Sequence, residues 1–269
     1  MLKAPQSFSR IMSPGSGPYK ARLCDALELW NHLKRMPFHL TRSGRFQNMF
    51  YDFLRPTSPG GAPLRCAVAI PAKNEVDRLP ACLNALALQR RRSGEALAPG
   101  VFEVVLFANN CDDGTADRAR EFALHLPFQI HVTDERLAPA VSHAGEARRR
   151  AMDLALACLE RRGAGRAVIL TTDADSLVPA TWIDENLSAI DEGADAVLGR
   201  VALDEDGVGL PVELHRRGAL EDEYENLLTE TASILDPVDW NPWPHHATIS
   251  GASVAVTAEA YRRVGGIPR

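Results

Sequence analysis

The chain has 269 residues, 45% of them hydrophobic, and a formal net charge of −5; a chain of that size buries a large core in one or two domains, which excludes a disordered or collagen-like protein as its overall description. The charge is unevenly placed: residues 1–65 hold ten Lys/Arg against three Asp/Glu (+7), and residues 66–269 hold twenty against thirty-two (−12). No apolar run approaches the roughly 18 residues of a membrane span; the longest, 101–108 and 167–170, are strand-sized.

Pro and Ser interrupt residues 1–17 where a secretory signal needs a continuous apolar stretch, so no export signal is read. The five cysteines, Cys24, Cys66, Cys82, Cys111 and Cys158, are odd in number and never in C-x-x-C. That pattern fits reduced thiols in the cytoplasm better than a disulfide framework or a zinc site, each cysteine serving as a small core or surface residue. Residues 1–65 read as a basic Pro/Ser/Gly-rich extension with interleaved aromatics (Phe38, Phe46, Phe50, Tyr51, Phe53). Such a segment suits an anionic membrane surface or nucleic acid, but an extension that packs one helix, about 21–36, on the main domain explains it better. Peripheral membrane contact stays compatible with it, and nucleic acid is not expected as a partner.

The stretch T-S-P-G-G-A-P (57–63) marks the boundary to the main domain, 66–269. From there short apolar runs alternate with longer amphipathic ones, the pattern of an α/β fold with a mostly parallel central sheet flanked by helices. Strands are expected at 66–70, 102–108, 127–132, 167–172, 194–201 and 248–256. Helices are expected at about 78–90, after the turn 109–115 to about 125, and at about 143–161, 180–191 and 218–235.

In such a sheet, ligands bind at the carboxyl ends of the strands. The first strand delivers Pro71-Ala72-Lys73-Asn74-Glu75, the second Asn109-Asn110-Cys111-Asp112-Asp113-Gly114-Thr115, and the fourth Asp173-Ala174-Asp175. Two carboxylates at i and i+2 after a buried strand can share Mg²⁺ or Mn²⁺ with a polyphosphate; the plainer alternative is a turn or a helix cap. Gly145 and Arg148 fall at the start of a helix, where backbone N–H groups and a guanidinium suit a diphosphate, while Arg149 and Arg150 read as a solvated face. The irregular loop from Asp239 to His246 holds Trp240, Trp243, His245 and His246, suited to sugar C–H faces or to metal ligation, or else to covering a core edge. Residues 250–267 are rich in small side chains, as where backbone passes close to a ligand.

Taken in order, I-P-A-K-N-E, N-N-C-D-D-G-T, H-A-G-E-A-R-R-R-A, T-T-D-A-D-S and S-G-A-S-V-A-V-T-A-E-A-Y-R-R-V-G-G resemble the family 2 glycosyltransferases of GT-A fold across about 66–269. The resemblance implies a nucleotide-binding half like a Rossmann unit and transfer of a hexosyl-type sugar from a nucleoside-diphosphate donor to an acceptor, a saccharide, a lipid-linked species or a small molecule. It implies that Pro71, Ala72, Asn74, Glu75 and Asn109 hold the nucleoside and that Asp173 lies by the ribose. It further implies that Asp175 binds Mn²⁺ or Mg²⁺, with Asp173 and His246 as further candidate ligands, that Gly145 and Arg148 approach the donor from the side, and that Trp240, Trp243 and His245 form an acceptor or sugar loop.

Two departures from the family pattern matter. Ala108-Asn109 stands where an acidic residue usually reads the base, so the resemblance does not imply a uridine donor. The acidic pair that supplies the catalytic base in inverting members is expected beyond Arg269, which favours a C-terminally incomplete domain; the alternatives are donor binding without efficient transfer, or Asp236 or Asp239 as substitute base. The competing classes are a non-catalytic nucleotide-sugar-binding module, a sugar nucleotidyltransferase, which lacks its expected Gly-rich loop here, and a haloacid-dehalogenase-like phosphatase, which lacks a lysine after Lys73.

Overall fold

In the computed structural model, the described residues are 8–11, 64–202, 211–239, 241, 243–244 and 250–267. Their elements, in chain order, are β1 (Phe8–Ile11), β2 (Cys66–Ala72), α1 (Leu79–Ala87), β3 (Phe102–Asn109), α2 (Thr115–Ala123), β4 (Ile130–Glu135), α3 (Ala144–Arg161), β5 (Val168–Thr171), α4 (Trp182–Asp191), β6 (Ala196–Gly199), α5 (Val212–Leu235), β7 (Val254–Thr257) and α6 (Ala258–Val264). The chain divides into two units, and one of them, Pro14–Pro59, lies outside the described residues together with the helix expected at 21–36. No helix among the described residues is long and apolar enough to cross a membrane.

Seven strands form one sheet in the order β1-β6-β7-β5-β2-β3-β4. β2, β3, β4 and β5 pair in parallel. β7 enters reversed between β5 and β6, so β6 still points the same way as β2 to β5. β1 pairs antiparallel with β6, adding to the sheet a strand from before the expected domain boundary at 65/66.

Both faces of the central strands are covered, which is why β2 and β3 are near-continuous apolar runs rather than alternating ones. Period two divides them. Val68, Ile70, Val104, Leu106, Val168 and Leu170 join Leu79, Leu83 and Leu86 of α1 and Ile183, Leu187 and Ile190 of α4 in one core. The alternate residues lie under α3, whose Ala147, Ala151 and Ala155 recur every fourth position and let the helix sit close on β2 and β3.

Several boundaries move for local reasons. β4 starts at Ile130 rather than 127, because Pro127 has no N–H to donate and Phe128 turns into the core beside Phe102. It runs on through Thr133-Asp134-Glu135, which pair with Phe107-Ala108-Asn109. β7 begins only at Val254, since Ser253 N–H donates to the Ser250 carbonyl and closes a turn first. α5 starts at Val212 rather than 218 and leaves Leu214, Leu220, Leu227, Leu228 and Leu235 exposed, with Thr229 its buried residue.

Candidate functional site

β2, β3 and β5 point the same way and end side by side, so the segments that follow them share one edge of the sheet. The first two are stitched together. Asn74 (φ 57°) and Asn110 (φ 52°) take the left-handed conformation that ends each strand, one that asparagine tolerates. Asp112 N–H donates to Asn74 Oδ1 at 3.0 Å, Glu75 N–H to Thr115 Oγ1 at 2.9 Å, and Val76 N–H to Asp113 Oδ2 at 3.1 Å. Desolvation raises the Asp113 carboxyl, but hydrogen bonds from the Thr115 hydroxyl and from the Val76 and Thr115 N–H groups outweigh it and hold the acid below its ordinary range.

Of the Asn109-Asn110 pair, Asn109 is buried at the end of β3, and Asn110 organises the surroundings. Its Nδ2 donates to the Leu137 carbonyl, and its Oδ1 accepts from Leu137 N–H and the Ser142 hydroxyl, all at 3.0–3.1 Å. Pro71 is half-buried, Ala72 buried and Asn74 exposed, so the first segment rises from core to solvent over four residues.

The Asp173-Ala174-Asp175 segment follows β5 with Ala174 buried and the carboxylates on either side of it reaching outward. Asp173 Oδ1 accepts from Arg148 Nη2 at 2.6 Å; Arg148 Nη1 donates to the Gly251 carbonyl at 2.6 Å and reaches Thr171 Oγ1 at 3.3 Å. Asp175 is more exposed, its Oδ2 3.5 Å from Arg78 Nη1, and Arg78 Nε is 3.0 Å from Glu75 Oε2. The Glu75 carboxyl is raised above its ordinary range, chiefly by desolvation and then by Asp175, Asp113 and Asp173, against the pull of Arg78.

Glu75, Asp173, Asp175 and Arg148 thus lie together at this edge. Gly145 is exposed in the first turn of α3, behind His143, whose Nδ1 caps the helix by accepting from Glu146 N–H at 3.2 Å. The small residues at 250–253 serve a close approach to Arg148: a Cβ on Gly251 would stand 2.6 Å from the Arg148 Cζ. Trp243 is exposed, as are Asp236 and Asp239 after α5. Trp240, His245 and His246 lie outside the described residues.

Arg78 was not singled out by sequence, and Asn110, Asp113 and Thr115 were read only as members of the segment after the second strand, without individual roles. Arg78 had a readable signal, an arginine entering a helix N-terminus where the dipole disfavours cations. The others act across 27 to 40 residues of chain, which local pattern does not show.

No curated protein matches the sequence. Among solved structures the chain is similar to S. aureus TarS (21% identity, TM-score 0.36, covering 48% of this chain and 20% of that one). It is also similar to the mannosyltransferase PcManGT from Pyrobaculum calidifontis in complex with GDP-Man and Mn²⁺ (20%, 0.46, 83% and 54%). A third is glucosyl-3-phosphoglycerate synthase from Mycobacterium tuberculosis in complex with Mn²⁺, uridine-diphosphate and phosphoglyceric acid (14%, 0.39, 73% and 56%). The chain spans between 20% and 56% of the length of these three proteins. The family model described as Glycosyl transferase family 2 matches residues 67–241, a stretch that takes in the ends of β2, β3 and β5 and the start of α3. With more than half of its length in that match, the chain belongs to glycosyl transferase family 2.

Proposed function

We propose that this chain transfers a sugar from a nucleoside-diphosphate donor to an acceptor hydroxyl, with Mn²⁺ or Mg²⁺ held at Asp175. The observation that carries this reading is the meeting of Glu75, Asp173 and Asp175 with Arg148 at the ends of β2 and β5. The donor set fits the metal: hard divalent ions take carboxylate oxygens together with ligand phosphate, and the raised Glu75 carboxyl marks an acidic edge that a cation relieves. When bound, the ion neutralises charge that develops on the departing diphosphate.

The chain's own residues supply the rest. The segment from Pro71 to Glu75, with Asn109 beneath it, forms the nucleoside side of the site. Asp173 is held by Arg148 toward the ribose, and Gly145 with Arg148 borders the diphosphate. Trp243, with Trp240 and His245, is assigned to the sugar and acceptor side, and Asp173 and His246 are further candidate ligands of the ion. Residues 66–269 form the transferase domain in this reading, and residues 1–65 a basic extension that adds β1 to the domain's sheet. The free thiols of Cys66, Cys82, Cys111 and Cys158 suit the reducing cytoplasm.

The test is a thermal-shift panel of UDP, GDP, CDP, ADP and TDP, each with and without Mn²⁺, since a ligand that binds only the folded state raises its melting temperature. A Mn²⁺-dependent rise with one nucleotide is expected and names the donor base; no rise with any of the five contradicts the proposal.

A further inference from the structure

A second polar cluster lies away from the Asp173-Ala174-Asp175 edge, toward the amino ends of the same strands. Glu103 is the second residue of β3, His131 the second of β4, and Cys158 sits in the last turn of α3. All three are buried. His131 Nε2 stands 2.8 Å from Glu103 Oε2, Cys158 Sγ is 3.2 Å from the same oxygen, and Sγ and Nε2 are 3.8 Å apart. The other carboxylate oxygen, Oε1, accepts from Arg162 Nη2 at 2.7 Å, and that guanidinium also donates to Gln129 Oε1 at 2.8 Å.

We propose that Glu103, His131 and Cys158 form a second, buried metal site for a borderline transition-metal ion of the Zn²⁺ class, separate from the carboxylates around Asp175. Three elements each contribute one donor, and the set is one nitrogen, one sulfur and one oxygen, the mixture that Zn²⁺ accepts and Mg²⁺ or Mn²⁺ does not prefer. Tetrahedral bonds of about 2.0–2.3 Å put neighbouring donors about 3.3–3.7 Å apart, so the present spacings of 2.8, 3.2 and 3.8 Å need only a few tenths of an ångström of adjustment. Arg162 and Gln129 fix the outer oxygen of Glu103 and leave Oε2 as the ligand atom, the outer-shell arrangement that orients metal-bound carboxylates.

In the metal-free protein the place is held by hydrogen. Burial, followed by the neighbouring Glu103, pushes the Cys158 thiol up to about 12, so it is protonated. On binding, the Cys158 Sγ–H bond breaks, its electron pair forms the bond to the ion, and the proton leaves to solvent. His131 coordinates through Nε2: the hydrogen that Nε2 directs at Glu103 Oε2 leaves that nitrogen, the ring takes one up on Nδ1 by exchange with solvent, and the freed Nε2 electron pair forms the bond to the ion. No redox change occurs. The bound ion clamps the end of α3 to β3 and β4.

Cobalt(II) added to the metal-free full chain reads the site directly, because a thiolate–cobalt bond gives a charge-transfer absorption that carboxylate coordination does not. A band that saturates at one equivalent is expected, lost in Cys158→Ser and kept in Cys111→Ser, Cys24→Ser and Asp175→Ala. Retention in Asp175→Ala separates this site from the one under Proposed function, so either proposal can fail alone. Absence of the band in the wild-type chain, or its persistence in Cys158→Ser, overturns the inference. Should Cys158→Ser fail to fold, Glu103→Gln serves: a loss of cobalt affinity of about tenfold or more is expected for a damaged carboxylate ligand, and unchanged affinity overturns the site.

Discussion

The Arg148 guanidinium lies 2.6 Å from the Asp173 carboxylate, and this ion pair joins the first turns of α3 to the end of β5. Arg148 also donates to the Gly251 carbonyl and reaches Thr171, so one side chain links α3, β5 and the turn before β7. Its role in the unliganded protein is to fix Asp173.

Arg148→Lys is therefore not a conservative change, because one ammonium does not reproduce the planar fork that serves a carboxylate and a carbonyl together. We expect a stability loss of about 1–2 kcal/mol from the hydrogen bonds lost, read by urea unfolding, and a fall in nucleotide affinity in the presence of Mn²⁺. Wild-type behaviour in both measurements would refute the anchoring role of Arg148.

Gly251→Ala tests the same joint from the other side. The added methyl meets the Arg148 guanidinium, and overpacking of this kind costs about 1–3 kcal/mol. The expected signature is lowered stability together with weakened nucleotide binding, although residue 251 carries no side-chain donor or charge. A neutral substitution would show that the close approach is not required.

Glu75 gives a pH dependence of defined sign. Its folded-state pKa is raised, so its contribution to stability is present below the unfolded value of about 4.3 and is lost as pH rises through the folded value. Glu75→Gln should accordingly stabilise the metal-free chain at neutral pH and make no difference in acid below the unfolded value; the lost pair with the largely exposed Arg78 offsets this by about 0–1 kcal/mol at most. Chemical unfolding of both proteins at two pH values decides it, and a destabilised Gln variant at neutral pH contradicts the assignment.

Glu103 has the opposite sign. Burial raises its carboxyl, but the hydrogen bonds from His131 and Cys158 and the charge of Arg162 outweigh burial and leave it lowered. Its stabilisation is full above the unfolded value of about 4.3 and disappears as pH falls through the folded value. Glu103→Gln breaks a buried pair and should cost about 3 kcal/mol at pH 7, with the gap to wild type closing in acid. A gap independent of pH would mean that shape rather than charge holds the cluster.

The strands and the carboxylate edge were legible in sequence because each rests on local chemistry: continuous apolar runs at 66–72 and 102–108, and turn-forming Asn, Asp and Gly directly after them. The reversal of β7 was not legible, since a short buried strand looks the same whichever way it runs. α5 was read as starting at the helix-weakening Gly218, yet the helix runs through it from Val212. The residues that stitch the site, Arg78, Asn110, Asp113 and Thr115, and the Glu103, His131 and Cys158 cluster owe their partners to the parallel sheet. No spacing within one element announces them.

A metal-dependent donor site at the ends of β2, β3 and β5 is checked by calorimetric titration of the nucleoside diphosphate named by the thermal-shift panel. Titrations would compare wild-type and Asp175→Ala chains, each with and without Mn²⁺. Because Asp175 is exposed, the variant should keep its fold. Mn²⁺-dependent binding is expected in wild type and its loss in Asp175→Ala; equal Mn²⁺-dependent binding in the two proteins would contradict a metal held at Asp175.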